Sequence, residues 1–362
     1  MKRFLVACVL LSSLLEANFS RIGYDSHSER VLNSFGISAS YMSKLAYRAN
    51  NKVNEKWDFF LKQFDKGYEF IPTLKNMLVQ EGVPQEFLFL AMAESGFSAR
   101  AYSVKKAAGI WQIMPKTAKM LGLRIDDYID ERRDPIKSTK AAIKYLKYLY
   151  AQTGEWYLAA MAYNCGINRL KTAIKRAGTT DIEVLLDEKE RYLPLETRRY
   201  MRMILEMSLA FNNSEKLQNA QYLLNRGATD SIVGVKLRSG TMLANVASQL
   251  GMSLAELRRY NSHFRYDFLP PNGNAVVYIP YTKLSSFYQT YNPNANLSRI
   301  FILHQVKKGD TLIKLAKKYN VGVREIKVAN KMDKTLLRVK SKIIIPIIKD
   351  DYKKLALKKK NI

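Results

Sequence analysis

Apolar residues recur at spacings of three and four from residue 38 to about residue 213, as in 141 to 150 and 200 to 211, which predicts a run of amphipathic helices. Pro72, Pro84, Pro115, Pro135 and Pro194 punctuate this run, each near an expected helix start, where a missing N–H and a fixed φ do no harm. Short helices broken by prolines predict a compact all-α domain, and because no heptad pattern persists a coiled coil is excluded. Beyond about residue 228 the pattern changes and a repeat emerges. Gly240, Leu243, Ala247, Leu257 and Asn261 return 69 positions later as Gly309, Leu312, Ala316, Ile326 and Asn330. Both copies close on an apolar strand ending in proline, 276 to 280 and 343 to 346. Each copy reads as strand, turn, helix, turn, helix, strand. In the second copy, 301 to 306 is the strand, 307 to 310 the turn, and 311 to 319 and 323 to 330 the helices. A repeat of about 45 residues of this kind is a tandem small module.

Composition then narrows the field. The chain has 362 residues, 47% of them hydrophobic, which excludes a disordered polycation and predicts two or three domains. Two Cys and three His cannot build a disulfide framework or a Cys-rich zinc site; a carboxylate metal site stays open to composition, and no metal or cofactor is among the expected parts. The net charge of +27 asks for an anionic partner: nucleic acid, an anionic membrane or an acidic polymer. Residues 1 to 17 read as an export signal, with Met1-Lys2-Arg3 before a 12-residue apolar run and Ala17 at the cleavage point. Leu5-Val6-Ala7-Cys8 also resembles a lipoprotein cleavage box, but too few apolar residues precede it, so acylation of Cys8 is the less favoured reading. Export, and the lack of any recognition motif, set nucleic acid aside.

Four local features in the helical region carry chemistry. Phe87 to Ala93 is an apolar run that ends in Glu94-Ser95-Gly96, so Glu94 falls in a last helical turn. Burial and the negative end of the macrodipole both raise an acid's pKa there, which suits a general acid acting on a glycosidic oxygen. A solvated helix-end glutamate fits the position equally. Gly109-Ile110-Trp111-Gln112 sets an aromatic beside an amide, as sugar stacking and hydrogen bonding require, and equally as an apolar turn packing a Trp. Ala162-Tyr163-Asn164-Cys165-Gly166 ends a small-residue helix, where Asn164 also serves as an ordinary cap. Glu196-Thr197-Arg198-Arg199-Tyr200 opens a charged helix, with Glu196 suited to the positive end of its dipole.

In this order the four features resemble the boxes of the soluble lytic transglycosylase family, over roughly residues 70 to 212. Ile110 stands where Leu is usual and Cys165 where Ala is usual. The tandem unit resembles LysM, clearly in Lys308-Gly309-Asp310-Thr311-Leu312 and Asn330, and more weakly in the first copy, which lacks the Asp-Thr turn. Lys340 replaces a common glycine before the last strand. The resemblance implies a mostly α fold, with a goose-type lysozyme-like catalytic domain followed by two βααβ modules. The expected segments are a signal peptide (1–17), a helical lead (18–69), the catalytic domain (70–215), a degenerate LysM-like module (232–281), a LysM module (299–348) and a basic tail (349–362).

The resemblance further implies cleavage of the β-1,4 bond between N-acetylmuramic acid and N-acetylglucosamine, with a 1,6-anhydro product. Glu94 would be the catalytic acid and then base. Ser95, Gln112, Tyr163 and Asn164 would position the sugar, Tyr200 would line the cleft, and Glu196 would be structural. Gly309, Asp310, Thr311, Leu312 and Asn330 would bind glycan in the LysM module. No Asp or Glu lies between Glu94 and Asp126, which agrees with a reaction lacking a second carboxylate. A hydrolytic muramidase on the same scaffold and a noncatalytic wall-binding scaffold are the alternatives. Residues 301 to 362 hold 18 Lys and Arg against five Asp and Glu, so the expected partner is peptidoglycan, with a membrane surface second, in the periplasm or at the wall.

Overall fold

The computed structural model describes residues 26–38, 40–41, 62–213, 231–292, 299–348 and 351–352. The signal peptide, Cys8, much of the helical lead and nearly all of the basic tail lie outside the described residues. The chain forms two compact units, Met1–Ile125 with Glu131–Ser231, and Asp126–Asp130 with Ile232–Ile362.

The first unit is helical. Its elements are α1 (Ser26–Phe35), α2 (Ile71–Gln80), α3 (Phe87–Ser95), α4 (Pro115–Met120), α5 (Pro135–Thr153), α6 (Trp156–Cys165), α7 (Ile167–Ala177), α8 (Ile182–Leu185) and α9 (Leu195–Asn213). Proline stands in the first turn of α2, α4 and α5. Asp134 caps α5 by accepting from the backbone N–H groups of Ile136 and Lys137. Pro84 behaves differently from expectation. It sits three residues ahead of α3 and opens a turn of i→i−3 bonds, from Phe87 to Pro84, Leu88 to Gln85 and Phe89 to Glu86, tighter than an α-helix.

Helices α3 and α6 are apolar on nearly every side, so they have no solvent face and form the centre of the unit. Helix α9 packs on α6, α3 and α1, and α5 packs on α6 and α2. Aromatic side chains fill the gaps: Phe64 meets Phe97 at 5.4 Å between ring centres, and Phe87 meets Trp156 at 5.5 Å. The site therefore rests on buried helices rather than on loops alone.

The second unit holds two βααβ modules. In the first, β1 (Ile232–Arg238), α10 (Leu243–Gln249), α11 (Leu254–Tyr260) and β2 (Asn274–Pro280) are followed by α12 (Leu284–Thr290). The second has β3 (Arg299–Gln305), α13 (Leu312–Tyr319), α14 (Val323–Ala329) and β4 (Lys342–Ile348). Each pair of strands is antiparallel, in register from Ile232↔Pro280 to Arg238↔Asn274 and from Arg299↔Ile348 to Gln305↔Lys342. A two-stranded sheet is marginal alone, and the helices supply its cover. In the second module Ile343, Ile345 and Ile347 alternate onto the face that meets Leu312, Leu315 and Ile326.

The repeated asparagine explains itself here. Asn261 donates to the carbonyls of Leu257 and Tyr278 and accepts from the N–H of Tyr278, and Asn330 makes the same three bonds to Ile326 and Ile344. Each amide fastens the end of the second helix to the middle of the last strand.

Two features were hidden from the sequence. Helix α12 places Phe287 in the first module's core, past the expected limit at 281. The segment Asp126–Asp130 also belongs to this unit: Ile129 enters the core, Asp130 N–H donates to the His263 carbonyl, and the Tyr128 hydroxyl accepts from Leu303 N–H.

Two substitutions test this framework. Asn261→Ala should destabilise the first module by about 2–4 kcal/mol, because it leaves buried backbone groups unmatched. The measurement is hydrogen exchange at Tyr278, which should accelerate well beyond that of β4. Lys340 holds a left-handed φ of 69°, a conformation that glycine adopts without strain. Lys340→Gly should therefore stabilise the second module by up to about 1 kcal/mol in thermal unfolding, the gain in φ being partly offset by the freer unfolded chain.

Candidate active site

Glu94 occupies the last turn of α3, one residue before Ser95 and two before the helix stop at Gly96. Gly96 has φ 58°, and its N–H closes on the Met92 carbonyl. A Cβ there would meet only the end of the flexible Gln63 side chain, at 2.2 Å, so it is the left-handed conformation that calls for glycine. The stop turns the chain sharply and leaves the Glu94 side chain half-buried at the edge of the apolar core.

The Tyr200 hydroxyl, from α9, donates to Oε1 of Glu94 at 2.9 Å. Desolvation is the largest influence on this carboxyl and raises its pKa; the Tyr200 bond opposes it, and the negative charge of Glu196 adds to the rise. The balance leaves Glu94 at about 7, so near neutral pH it is divided between acid and base. Glu196 itself is exposed at the start of α9. Its sequence position suggested only a structural part at the helix start; its field on Glu94 acts through space and was not legible.

The box 109 to 112 forms a tight turn whose ends pair through two bonds between Ala108 and Ile113. A Cβ on Gly109 would lie 1.8 Å from the Arg132 carbonyl oxygen, so this turn is built against backbone. Three side chains then grip it. Ser95 Oγ donates to the Ile110 carbonyl at 2.7 Å, Tyr163 Oη donates to the Trp111 carbonyl at 2.8 Å, and Trp111 Nε1 donates to Thr139 Oγ1 at 2.8 Å. Trp111 is fully buried, so it is a core anchor and offers no face to a sugar. Gln112 is half-buried with φ 46°, and its Nε2 donates to the Gly109 carbonyl at 2.9 Å, which orients the amide oxygen.

Tyr163 and Asn164 end α6. Burial pushes the Tyr163 phenol well above its usual range, and Glu94 and Tyr145 add to that rise. Tyr200 is held high for the same first reason, with Glu94 and Tyr163 next. Both phenols thus stay protonated and serve as donors. Asn164 Oδ1 accepts from Thr197 Oγ1 at 2.8 Å, which ties the end of α6 to the first turn of α9. Cys165 is half-buried, and desolvation raises its thiol, so it is a poor nucleophile near neutral pH.

The structure thus draws Glu94, Tyr163 and Tyr200 into one electrostatic group and sets the 109–112 turn beside it. Ser95 is 4% exposed with its proton committed to Ile110, so it fixes the turn relative to Glu94.

The residues picked out in the second module are elsewhere, and their polar atoms are committed within that module. Asp310 Oδ2 pairs with His304 Nε2 at 2.8 Å and accepts from Lys307 N–H at 2.8 Å; chiefly through the His304 bond, its pKa is held down. Thr311 caps α13 through Lys314 N–H, Leu312 lies in the core at 2% exposure, and Asn330 is the strand fastener described above. Gly309 lies in the β3–α13 turn with φ 86°. Leu312 therefore presents no surface to a glycan. The buried His304, whose Nδ1 meets the Tyr319 hydroxyl at 2.8 Å, is part of this framework and was missed in the sequence because a lone His carries no pattern.

Comparison with known proteins finds three matching domains in this order. Residues 73–186 match the Transglycosylase SLT domain, 232–295 the Lytic transglycosylase MltD, LysM-like domain, and 304–346 the LysM domain. The membrane-bound lytic murein transglycosylase D of Escherichia coli (strain K12) is 28% identical over 321 residues, covering 80% of this chain and 67% of its own. The soluble lytic murein transglycosylase of the same strain is 28% identical over 157 residues, covering 41% of this chain and 23% of its own. A solved complex of the 70-kDa soluble lytic transglycosylase with bulgecin A aligns at 22% identity with a TM-score of 0.36, covering 54% of this chain and 33% of that one. The chain carries a transglycosylase SLT domain followed by two LysM-type domains, and it is a homologue of the membrane-bound lytic murein transglycosylase D of Escherichia coli.

Proposed function

We propose that this protein is a peptidoglycan lytic transglycosylase. Its reaction is cleavage of the β-1,4 bond between N-acetylmuramic acid and N-acetylglucosamine, with formation of a 1,6-anhydro ring. The observation that carries this reading is the placement of Glu94: a half-buried carboxyl bonded to the Tyr200 phenol, its pKa raised by burial to about 7. Protonated Glu94 gives its proton to the glycosidic oxygen as the bond from that oxygen to the muramoyl C1 breaks. The resulting carboxylate takes the proton of the C6 hydroxyl as that oxygen bonds to C1. Glu94 ends as it began, and no water is consumed. Tyr200 donates to the carboxylate form, which eases the first step, while desolvation favours the acid form and eases the second.

The amide groups of Gln112 and Asn164 are held half-buried by their own hydrogen bonds, which suits them to an N-acetyl group. Ser95 contributes by fixing the turn that bears Gln112. The LysM-type modules supply a second hold on peptidoglycan, and the cationic end of the chain a favourable field for stem carboxylates or a membrane surface. Homology to a murein enzyme supports a location at the cell wall, and the N-terminal pattern refines this to export into the periplasm. Among the described residues, no helix is long and apolar enough to cross a membrane.

Digestion of purified sacculi followed by mass spectrometry should yield anhydro-muropeptides, and Glu94→Gln should lower their release by about 10²- to 10⁴-fold. Reducing-end products would instead identify a hydrolytic muramidase. Because the acid form acts first, kcat/KM should fall as pH rises through about 7. Tyr200→Phe should move that limb to higher pH and Glu196→Gln to lower pH, following the signs of their influence on Glu94. The same shift governs stability. The raised pKa favours the folded state below the ordinary carboxyl value of 4.5, and this advantage is lost as pH rises through about 7. Glu94→Gln should therefore gain on the wild type in thermal unfolding at about pH 8 by on the order of 3 kcal/mol, and little at about pH 5.

Deletion of residues 301–362 should weaken sacculus binding and reduce its salt sensitivity in a pull-down at graded ionic strength. Unchanged binding would remove the charge of this segment from wall recognition.

A further inference from the structure

Helix α5 carries Tyr145 and Tyr148 three residues apart, on one face. Their rings lie 6.2 Å apart between centres and only 12° from parallel, and Tyr145 meets Tyr163 at 5.6 Å and 55°. Tyr163 in turn lies within the field of Glu94 and anchors the 109–112 turn. A continuous file of phenol rings therefore leads outward from the catalytic carboxyl. Exposure rises along it: Tyr145 is partly buried, and Tyr148 is 51% exposed.

The Tyr148 ring is partly covered by its stacking on Tyr145 and otherwise open to solvent. It presents a flat, weakly polar face with a hydroxyl at its rim. The pyranose of an N-acetylhexosamine is complementary to that face, having C–H groups on one side of its ring and hydroxyls at its edge. Among the described residues other exposed tyrosines exist, such as Tyr288 at 74%, but Tyr148 is continuous with the group around Glu94.

We propose that Tyr145 and Tyr148 form an outlying glycan subsite, on which a sugar of the bound strand, beyond those flanking the scissile bond, stacks against Tyr148. The inference rests on glycan cleavage at Glu94. Tyr148 is a binding residue and takes no part in proton transfer. Tyr145 acts as a positioning residue, holding Tyr148 in line with Tyr163.

Two measurements decide it. On purified, uncrosslinked glycan strands, Tyr148→Ala should lower kcat/KM by about three- to tenfold, with the loss carried by KM. Tyr148→Phe should restore the wild-type KM. A Tyr148→Ala enzyme with the wild-type KM, or a Phe variant as weak as the Ala variant, overturns the subsite. The second measurement needs no turnover. In a Glu94→Gln background, Tyr148→Trp should add a fluorescence component that shifts saturably with the N-acetylglucosamine hexamer, relative to Glu94→Gln alone. No such component shift overturns the proposal. A wild-type enzyme that releases no cleavage product overturns the reaction assigned to Glu94, and the emission of the introduced tryptophan then decides stacking by itself.

Discussion

The hydrogen bond between Tyr200 and Glu94 is the constraint on which the chemistry of the helical unit depends. It joins two elements separated by more than a hundred residues in sequence, and it fixes a carboxyl where burial opposes its charge. Without the phenol, desolvation would keep Glu94 protonated too firmly for it to return as a base; without burial, it would be an ordinary surface carboxylate. The apolar length of α3, the stop at Gly96 and the packing of α9 across α3 are the means by which both conditions hold at one atom. A catalytic acid of this kind is costly to the fold, and the cost falls where the chain has least freedom to relax.

A second dependence runs through the turn at 109–112. Helix α3 reaches it through Ser95, α6 through Tyr163, and α5 through Thr139. Three helices thus measure their positions from one short stretch of backbone, and Gln112 inherits its place from all three. Asn164 and Thr197 close the arrangement from the far side by joining α6 to α9. Rigid placement of this sort is what acid–base chemistry demands, because the proton must travel along a short, fixed path.

Much of this was legible in the sequence, for identifiable reasons. Helix periodicity, proline at first turns and glycine at a helix stop are local rules, and they located α3, α5 and α9. The repeat was legible because the same core must be built twice, with the same asparagine fastening each module. What escaped was non-local. Trp111 reads identically as a sugar platform or a core anchor until its depth is known. Glu196 acts on Glu94 through space, across different helices. The membership of Asp126–Asp130 in the second unit, and the use of α12 to complete a module core, are decided by packing that no periodic pattern encodes. Asp310, Thr311, Leu312 and Asn330 stood out for their pattern, and three of them stand out because their polar atoms hold turns and strands together.

The grip on the 109–112 turn is exerted on main-chain oxygens. Ser95 holds the carbonyl of Ile110, and Tyr163 holds that of Trp111. A carbonyl oxygen is the same whichever side chain its residue bears. Another apolar residue that fills the pocket of Ile110 would therefore leave this hold intact. The hydroxyls that do the holding have no such latitude, since each must deliver a proton to one point in space. Tolerance to substitution in this box is thus divided: identity is free where backbone is grasped, and confined where side chains do the grasping.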